Sequence, residues 1–312
     1  MVSTCIIIIG YPGGPLRDEA WKKQTIANTN EEQFKTEFEC DFIGSSATLI
    51  SSSKLHALSW VKPIVRNDDG LWIYEEPKED RTYYITVDTA RGQGLDYSAF
   101  VVIDATEMPY KVVARYRNNI VSPMVYPTVI STVAKQFNNA YVLVEINDIG
   151  GQVADVLHQD LEYDNILMCS HMGRKGQVVS AGFGGKGTTH MGVRTSAVVK
   201  KLGCSVLKSL IEEDKLIIED IDTVNELTTF VAKRNSYEAD DNYNDDLVMC
   251  LVLFAWLTRQ DYFKTITDTD VRTEIYEEEI EKLEENMAPF GFIHDDDDDN
   301  GEWDGEDRWF AF

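Results

Sequence analysis

The chain has 312 residues, 43% of them hydrophobic, enough for one large or two modest globular domains around a sizeable core. A formal net charge of -25 argues against a nucleic-acid partner by repulsion from phosphate, unless that charge is unevenly placed. Five cysteines at positions 5, 40, 169, 204 and 250, without a CxxC pair, fit reduced thiols, and the apolar run at residues 5–9 is far too short to span a bilayer, so no membrane role is implied.

Residues 1–15 are an apolar run followed by Pro and Gly, with no period of their own: a lone strand or a disordered start. Residues 16–38 are polar and helix-permissive, with Asn30 placed three residues before Gln33 as in a capping box. Residues 45–53, SSATLISSS, read as a linker of small polar residues and place a boundary between 45 and 80. Three β-type runs follow at 82–88, 98–104 and 110–117, as in a meander. The first ends on Asp88, and the loop behind it carries Gly92 and Gly94 before Asp96 opens the next run. An acid at the end of a buried strand is costly unless paired or bound to a cation. A polar hairpin turn is the plainer reading of the same residues. Next come a helix at 125–138, a strand at 141–144 ending on Glu145, a helix at 152–161 and a short strand at 166–168. The order β-β-β-α-β-α-β predicts a mixed α/β sheet flanked by helices.

Between residues 165 and 211 there is no Asp or Glu, while Arg174, Lys175, Lys186, Arg194, Lys200, Lys201 and Lys208 supply seven positive charges. The first half reads as a glycine-rich loop or hairpin and the second, 191–211, as a helix with basic residues recurring on one side. Such a patch suits a phosphate backbone; a solvated helix face is the alternative. Gly184-Gly185-Lys186-Gly187 superficially resembles a phosphate-binding loop, but the GxxxxGK[ST] spacing fails there and throughout, so no ATPase activity is expected.

A strand-like run at 215–218 and a polar stretch to Ala239 lead to Asp245-Asp246, which open the apolar run 247–257, read as a buried helix. First-turn carboxylates favour the helix dipole, so capping accounts for one of these acids. The tail from Asp261 to Phe312 holds nineteen acidic residues against four basic ones, a net -15 of the -25. Within it, 271–287 reads as an acidic helix and 294–307 as disordered by self-repulsion.

Asp88, Glu145 and Asp246 are distant in sequence, yet the inferred sheet brings them to one edge, where divalent cations would relieve their repulsion. Mg²⁺ or Mn²⁺ prefers hard oxygen ligands, and two ions about 4 Å apart support phosphodiester hydrolysis. No histidine, cysteine or serine nucleophile is required.

The runs YYITVDTARGQGLDYSAFVVID, VLVEINDIGGQVADVL, GCSVLKSLIEEDKLII and YNDDLVMCLVLFAWL closely resemble the C-terminal nuclease domain of the large terminase subunit of T4-like tailed phages, over about residues 16–287. The resemblance implies an RNase H-like fold and a metal-dependent endonuclease acting on concatemeric double-stranded DNA. It implies catalytic Asp88, Glu145 and Asp246, and a metal set that adds Asp96 and Asp245 to these three. The chain departs from the family at Arg91, where a Glu is expected, and at Asn244, where a His is expected. The implied organisation is a remnant of an ATPase domain and linker at 1–52, a nuclease domain at 53–262 and an acidic helix with a disordered tail at 263–312, as in a split or truncated gene product. The implied partners are DNA, the ATPase motor, the portal protein and the small terminase subunit, in the cytoplasm of an infected bacterium. Two other classes stay open: a catalytically silent docking module, and an actin-like nucleotide-binding fold with DTARGQGLDYSAF as its first phosphate loop.

Overall fold

Strands whose apolar side chains alternate between two faces make the centre of the molecule. The computed structural model describes residues 48–94, 96–171, 176–180, 189–233 and 236–266. A short helix α1 (Ser52–Ala57) precedes β1 (Val65–Arg66), β2 (Leu71–Ile73), β3 (Tyr83–Asp88), β4 (Ser98–Asp104) and β5 (Tyr110–Asn118). Then come α2 (Tyr126–Gln136), β6 (Tyr141–Val144) and α3 (Gly150–Asp155), whose last turn widens to a π-helix over Val156–Asp160. The strands β7 (Met168–His171), β8 (Gln177–Ser180) and β9 (Thr189–Met191) lead to α4 (Ala197–Glu212), β10 (Leu216–Ile217) and α5 (Ile221–Thr229). A hairpin of β11 (Phe230–Lys233) and β12 (Ser236–Ala239) and the helix α6 (Asp246–Leu257) complete the order.

The main sheet runs β1-β2-β5-β4-β3-β6, with β10 added in parallel to β5. β3, β4 and β5 form the expected antiparallel meander, and β6 joins β3 in parallel with Val87 opposite Val144. Period-2 alternation divides these strands between two cores. Tyr84, Val101, Ile103 and Leu143 face α4 and α6, whereas Ile85, Val87, Phe100, Val102, Val142 and Val144 face α2 and α3. Strands covered on both faces read as continuous apolar runs, which is why they were legible in the sequence. Burial of apolar surface stabilises by about 25 cal/mol per Å², and the double coverage buries it on both faces of the sheet.

Several expectations need correction. Leu49 and Ile50 lie inside the stretch read as a linker, yet they are buried in the core, and Leu49 N donates to Phe230 O. Two apolar residues among serines are easily overlooked, but they suffice to anchor the segment. The helix expected from residue 191 begins only at Ala197, because Met191 ends β9 and the Ser196 side chain caps α4 by accepting from Val199 N. The strand expected at 166–168 is shifted to β7, with Ile166 making only an isolated bridge to Val142. The polar stretch before Ala239 contains α5 and the β11–β12 hairpin. The Asn30–Gln33 capping box and the acidic tail from residue 267 lie outside the described residues. Among the described residues no helix is long and apolar enough to cross a membrane.

Candidate metal centre

Two neighbouring parallel strands deliver two of the three predicted acids. Asp88 is the last residue of β3 and Glu145 follows β6 directly, with Glu145 N donating to Val87 O at 2.9 Å. The carboxyl ends of adjacent parallel strands are where open α/β sheets place their ligand sites. On the other side Glu145 bridges Val193, and Ile146 N donates to Val193 O at 2.8 Å. Its side chain is oriented by Asn147, whose amide donates to Glu145 Oε1 at 2.8 Å and to Thr195 O at 3.3 Å. Gly150 is required here for close approach, because a Cβ would lie 1.8 Å from Glu145 O.

Asp246 arrives from the opposite layer. α6 is buried along its whole length and packs on β3 and β4, where Thr86 Oγ1 donates to Cys250 O at 2.8 Å. Capping does not explain Asp245-Asp246. Asp245 is the N-cap residue but makes no side-chain cap bond, and its Oδ2 accepts instead from Ala239 N. Glu226 of α5 caps the helix from outside, with Oε2 accepting from Leu247 N at 2.8 Å and Val248 N at 3.1 Å. Two of the orphan amides of a helix start are thus satisfied by another element. Asp246 is thereby released for other work.

The strain of this arrangement falls on Asp88. Burial, then the charge and hydrogen bond of Glu145, then the charge of Asp246, hold the Asp88 carboxyl well above the usual carboxylate range. Burial pushes Asp246 up to about 7 against the opposing pull of Arg117. Such a group is costly to ionise without a cation. Asp88, Asp96, Asp245 and Asp246 line one open cleft. At the mouth of that cleft Arg91 makes a bidentate pair with Asp148 at 2.6 and 2.7 Å. Glu145, 8% exposed, is not among the residues that line the cleft.

Among the described residues, no three His, Cys, Asp or Glu side chains stand ready as a ligand set. Asp88 is paired with Glu145, while Asp246 Oδ2 lies 3.7 Å from the Arg117 guanidinium and has no hydrogen-bond partner. The residues nonetheless fit a divalent ion. All donors are oxygens, as Mg²⁺ and Mn²⁺ prefer, and the unsatisfied buried oxygen of Asp246 has free capacity for one.

Arg117 and Glu226 escaped the sequence reading. The available signals were weak: an arginine inside an apolar strand run, and a glutamate in line with Thr223, Val224 and Leu227 on the buried stripe of α5. Of the seven basic residues, Arg174, Lys175 and Lys186 lie outside the described residues. Arg194 is exposed and follows Val193, the bridge partner of Glu145. Lys201 and Lys208 are exposed on α4, seven residues apart and so on one face, while the half-buried Lys200 places its ammonium 5.8 Å from the Phe230 ring.

Residues 85–261 match a family model described as Terminase RNaseH-like domain. Among solved structures, the large terminase nuclease from thermophilic phage G20c with bound magnesium superposes with a TM-score of 0.52 at 20% identity, covering 68% of this chain and 98% of that one. The same nuclease with bound cobalt gives a TM-score of 0.51 at 21% identity, with coverage of 68% and 98%. A third G20c nuclease structure gives 0.51 at 21%, covering 69% and 100%. At this identity the likeness is one of fold, and the fold is RNase H-like.

Proposed function

The chain belongs to the terminase RNase H-like domain family, and from that premise we propose that it is the metal-dependent nuclease of a DNA-packaging terminase of the T4-like kind. Its reaction is the hydrolysis of phosphodiester bonds in concatemeric double-stranded DNA. The observation that carries this reading is the pairing of Asp88 with Glu145 at adjacent parallel strand ends, in a cleft that Asp88 lines together with Asp246, which Glu226 frees from capping. The bound magnesium and cobalt of the G20c nuclease support a divalent ion.

In this reading Asp88, Glu145 and Asp246 hold two Mg²⁺ or Mn²⁺ ions, with Asp96 and Asp245 as auxiliary ligands at the cleft rim. When bound, the ions would supply Lewis acidity toward a water and offset charge on the phosphodiester. Asn147 fixes the rotamer of Glu145, and Gly150 lets the Glu145 backbone seat closely. Arg194, Lys200, Lys201 and Lys208 hold the DNA backbone by phosphate contacts that carry no base information, as do Arg174, Lys175 and Lys186. The packaging ATPase, the portal protein and the small terminase subunit are the proposed partners, in the cytoplasm of the infected host. The purified chain is expected to nick supercoiled plasmid with Mg²⁺ or Mn²⁺, and chelator, Asp88→Asn or Asp246→Asn is expected to abolish nicking while the fold survives. Equal cutting by either variant would refute the assignment.

One observation favours a silent docking module instead: Asp246 is drawn toward Arg117 rather than toward the other two acids. That reading predicts no cutting with any divalent ion and a packaging complex lost on deleting residues 288–312.

A further inference from the structure

Arg117 is a largely buried cation beside this site. It projects from the end of β5 with its guanidinium between two carboxylates, 3.3 Å from Glu226 Oε1 and 3.7 Å from Asp246 Oδ2. The Tyr97 ring, next to Asp96 in the cleft-lining loop, lies 4.0 Å from the guanidinium carbon and covers one of its faces. All three charged groups are largely buried, and among the described residues each has an atom without a hydrogen-bond partner: Arg117 Nε, Glu226 Oε1 and Asp246 Oδ2. Buried charged groups are ordinarily saturated with hydrogen bonds, because an unmet one costs about 1–3 kcal/mol or more. A triad with three open valences is therefore unfinished.

The geometry gives the unfinished state a purpose. Glu226 is pinned through Oε2 by Leu247 N and Val248 N, so its free oxygen is a fixed post. Asp246 occupies the first position of the same helix and lines the cleft together with Asp88 and Asp96. The guanidinium stands between the two, nearer the post. Resting on the metal-centre reading above, we infer that Arg117 is a resident counter-cation that competes with the divalent ion for Asp246, and that Glu226 is the partner which retains the arginine when Asp246 turns to the metal. Both are positioning residues: they act on the reaction through Asp246. Without metal the arginine screens Asp246; with metal bound it pairs with Glu226 alone, and Tyr97 keeps it from leaving.

The test is Mn²⁺ binding to the full chain, followed by calorimetry and by the loss of the free-ion paramagnetic resonance signal, with folding checked by circular dichroism. Arg117→Met removes the competing charge and is expected to tighten Mn²⁺ binding about tenfold. Arg117→Lys keeps the charge and is expected to stay within about threefold of the parent. Glu226→Gln keeps an acceptor for the α6 amides but gives the arginine to Asp246, and is expected to weaken binding about tenfold. In the Arg117→Met background the Glu226→Gln change is expected to have less than about a twofold effect, because nothing remains to redistribute. A purely structural role would weaken binding in every variant, so opposite signs for Arg117→Met and Glu226→Gln distinguish the two. Unchanged or weaker binding by Arg117→Met overturns the inference. If that variant does not fold, parent-like or tighter binding by Glu226→Gln overturns it alone. Absence of saturable Mn²⁺ binding in the parent refutes the metal centre and this inference with it, whereas a parent that binds with variants that do not diverge refutes only the inference.

Discussion

Two arginines stand two residues apart on one face of β5, and their surroundings could hardly differ more. Arg115 is 3% exposed and fully engaged: Nε pairs with Asp220 at 3.3 Å, one terminal nitrogen donates to Gly70 O at 3.1 Å, the other pairs with Asp222, and Trp72 stacks at 3.6 Å. Asp220 is equally saturated, accepting from Tyr74 Oη, Thr223 N and Thr223 Oγ1. Arg117, by contrast, shares a pocket with two acids and leaves an atom unmet on each of the three residues. Where every valence is closed the network only stabilises. Where valences stay open beside a cleft, the same residue types are poised for a ligand.

The contrast is broken or sharpened most strongly by exchanging the acids. Asp246→Asn is expected to reduce metal-dependent cleavage about a thousandfold or more while denaturant stability at pH 5, where the buried acid is protonated, stays within about 1 kcal/mol of the parent. Asp220→Ala, in the closed network, leaves Arg115 buried and partly unpaired and is expected to cost about 3–5 kcal/mol by urea titration. Comparable stability losses in both would erase the distinction.

Next in size is Gly150→Ala, whose added carbon collides with Glu145 O. A displaced Glu145 is expected to lower the cleavage rate about a hundredfold, at a stability cost of about 1–3 kcal/mol.

A smaller effect follows from protonation. Asp246 and Glu226 titrate in the folded chain at about 7 and about 8, mainly because burial disfavours their charged forms. The folded state therefore binds more protons than the unfolded one from about pH 4 to pH 8. Their contribution to stability is full below that window and is lost as pH rises through it. In chelator, the parent is expected to lose about 1–3 kcal/mol more than Asp246→Asn between pH 5 and 8, and parallel pH profiles would contradict the raised pKa.

Smallest is the basic face. Lys201→Ala or Lys208→Ala is expected to weaken DNA binding irrespective of sequence and to reduce the logarithmic salt slope by about one each.

The parts legible in the sequence share one trait, which is that the signal is local. β3 and β6 are doubly covered strands, so their apolar runs end abruptly on Asp88 and Glu145, and the apolar run of α6 opens on Asp246. Arg117 and Glu226 were missed because their meaning is relational. Nothing near residue 226 says that its carboxylate caps a helix beginning at residue 246, and only the folded chain brings those segments together. Leu49 and Ile50 were lost to the serines around them. The start of α4 was misplaced because β9 and residues 192–196 interrupt a helix-compatible composition.

The helix that carries Asp246 has no solvent side, since every residue from Asp246 to Leu257 is buried. It is a rod clamped along its length, with a carboxylate at one tip and Trp256 near the other, about 15 Å away at 1.5 Å per residue. A rod held that way transmits a push from one end to the other. Substitutions at its far end, such as Trp256→Ala, are therefore expected to disturb the carboxylate at the near end as well as the core.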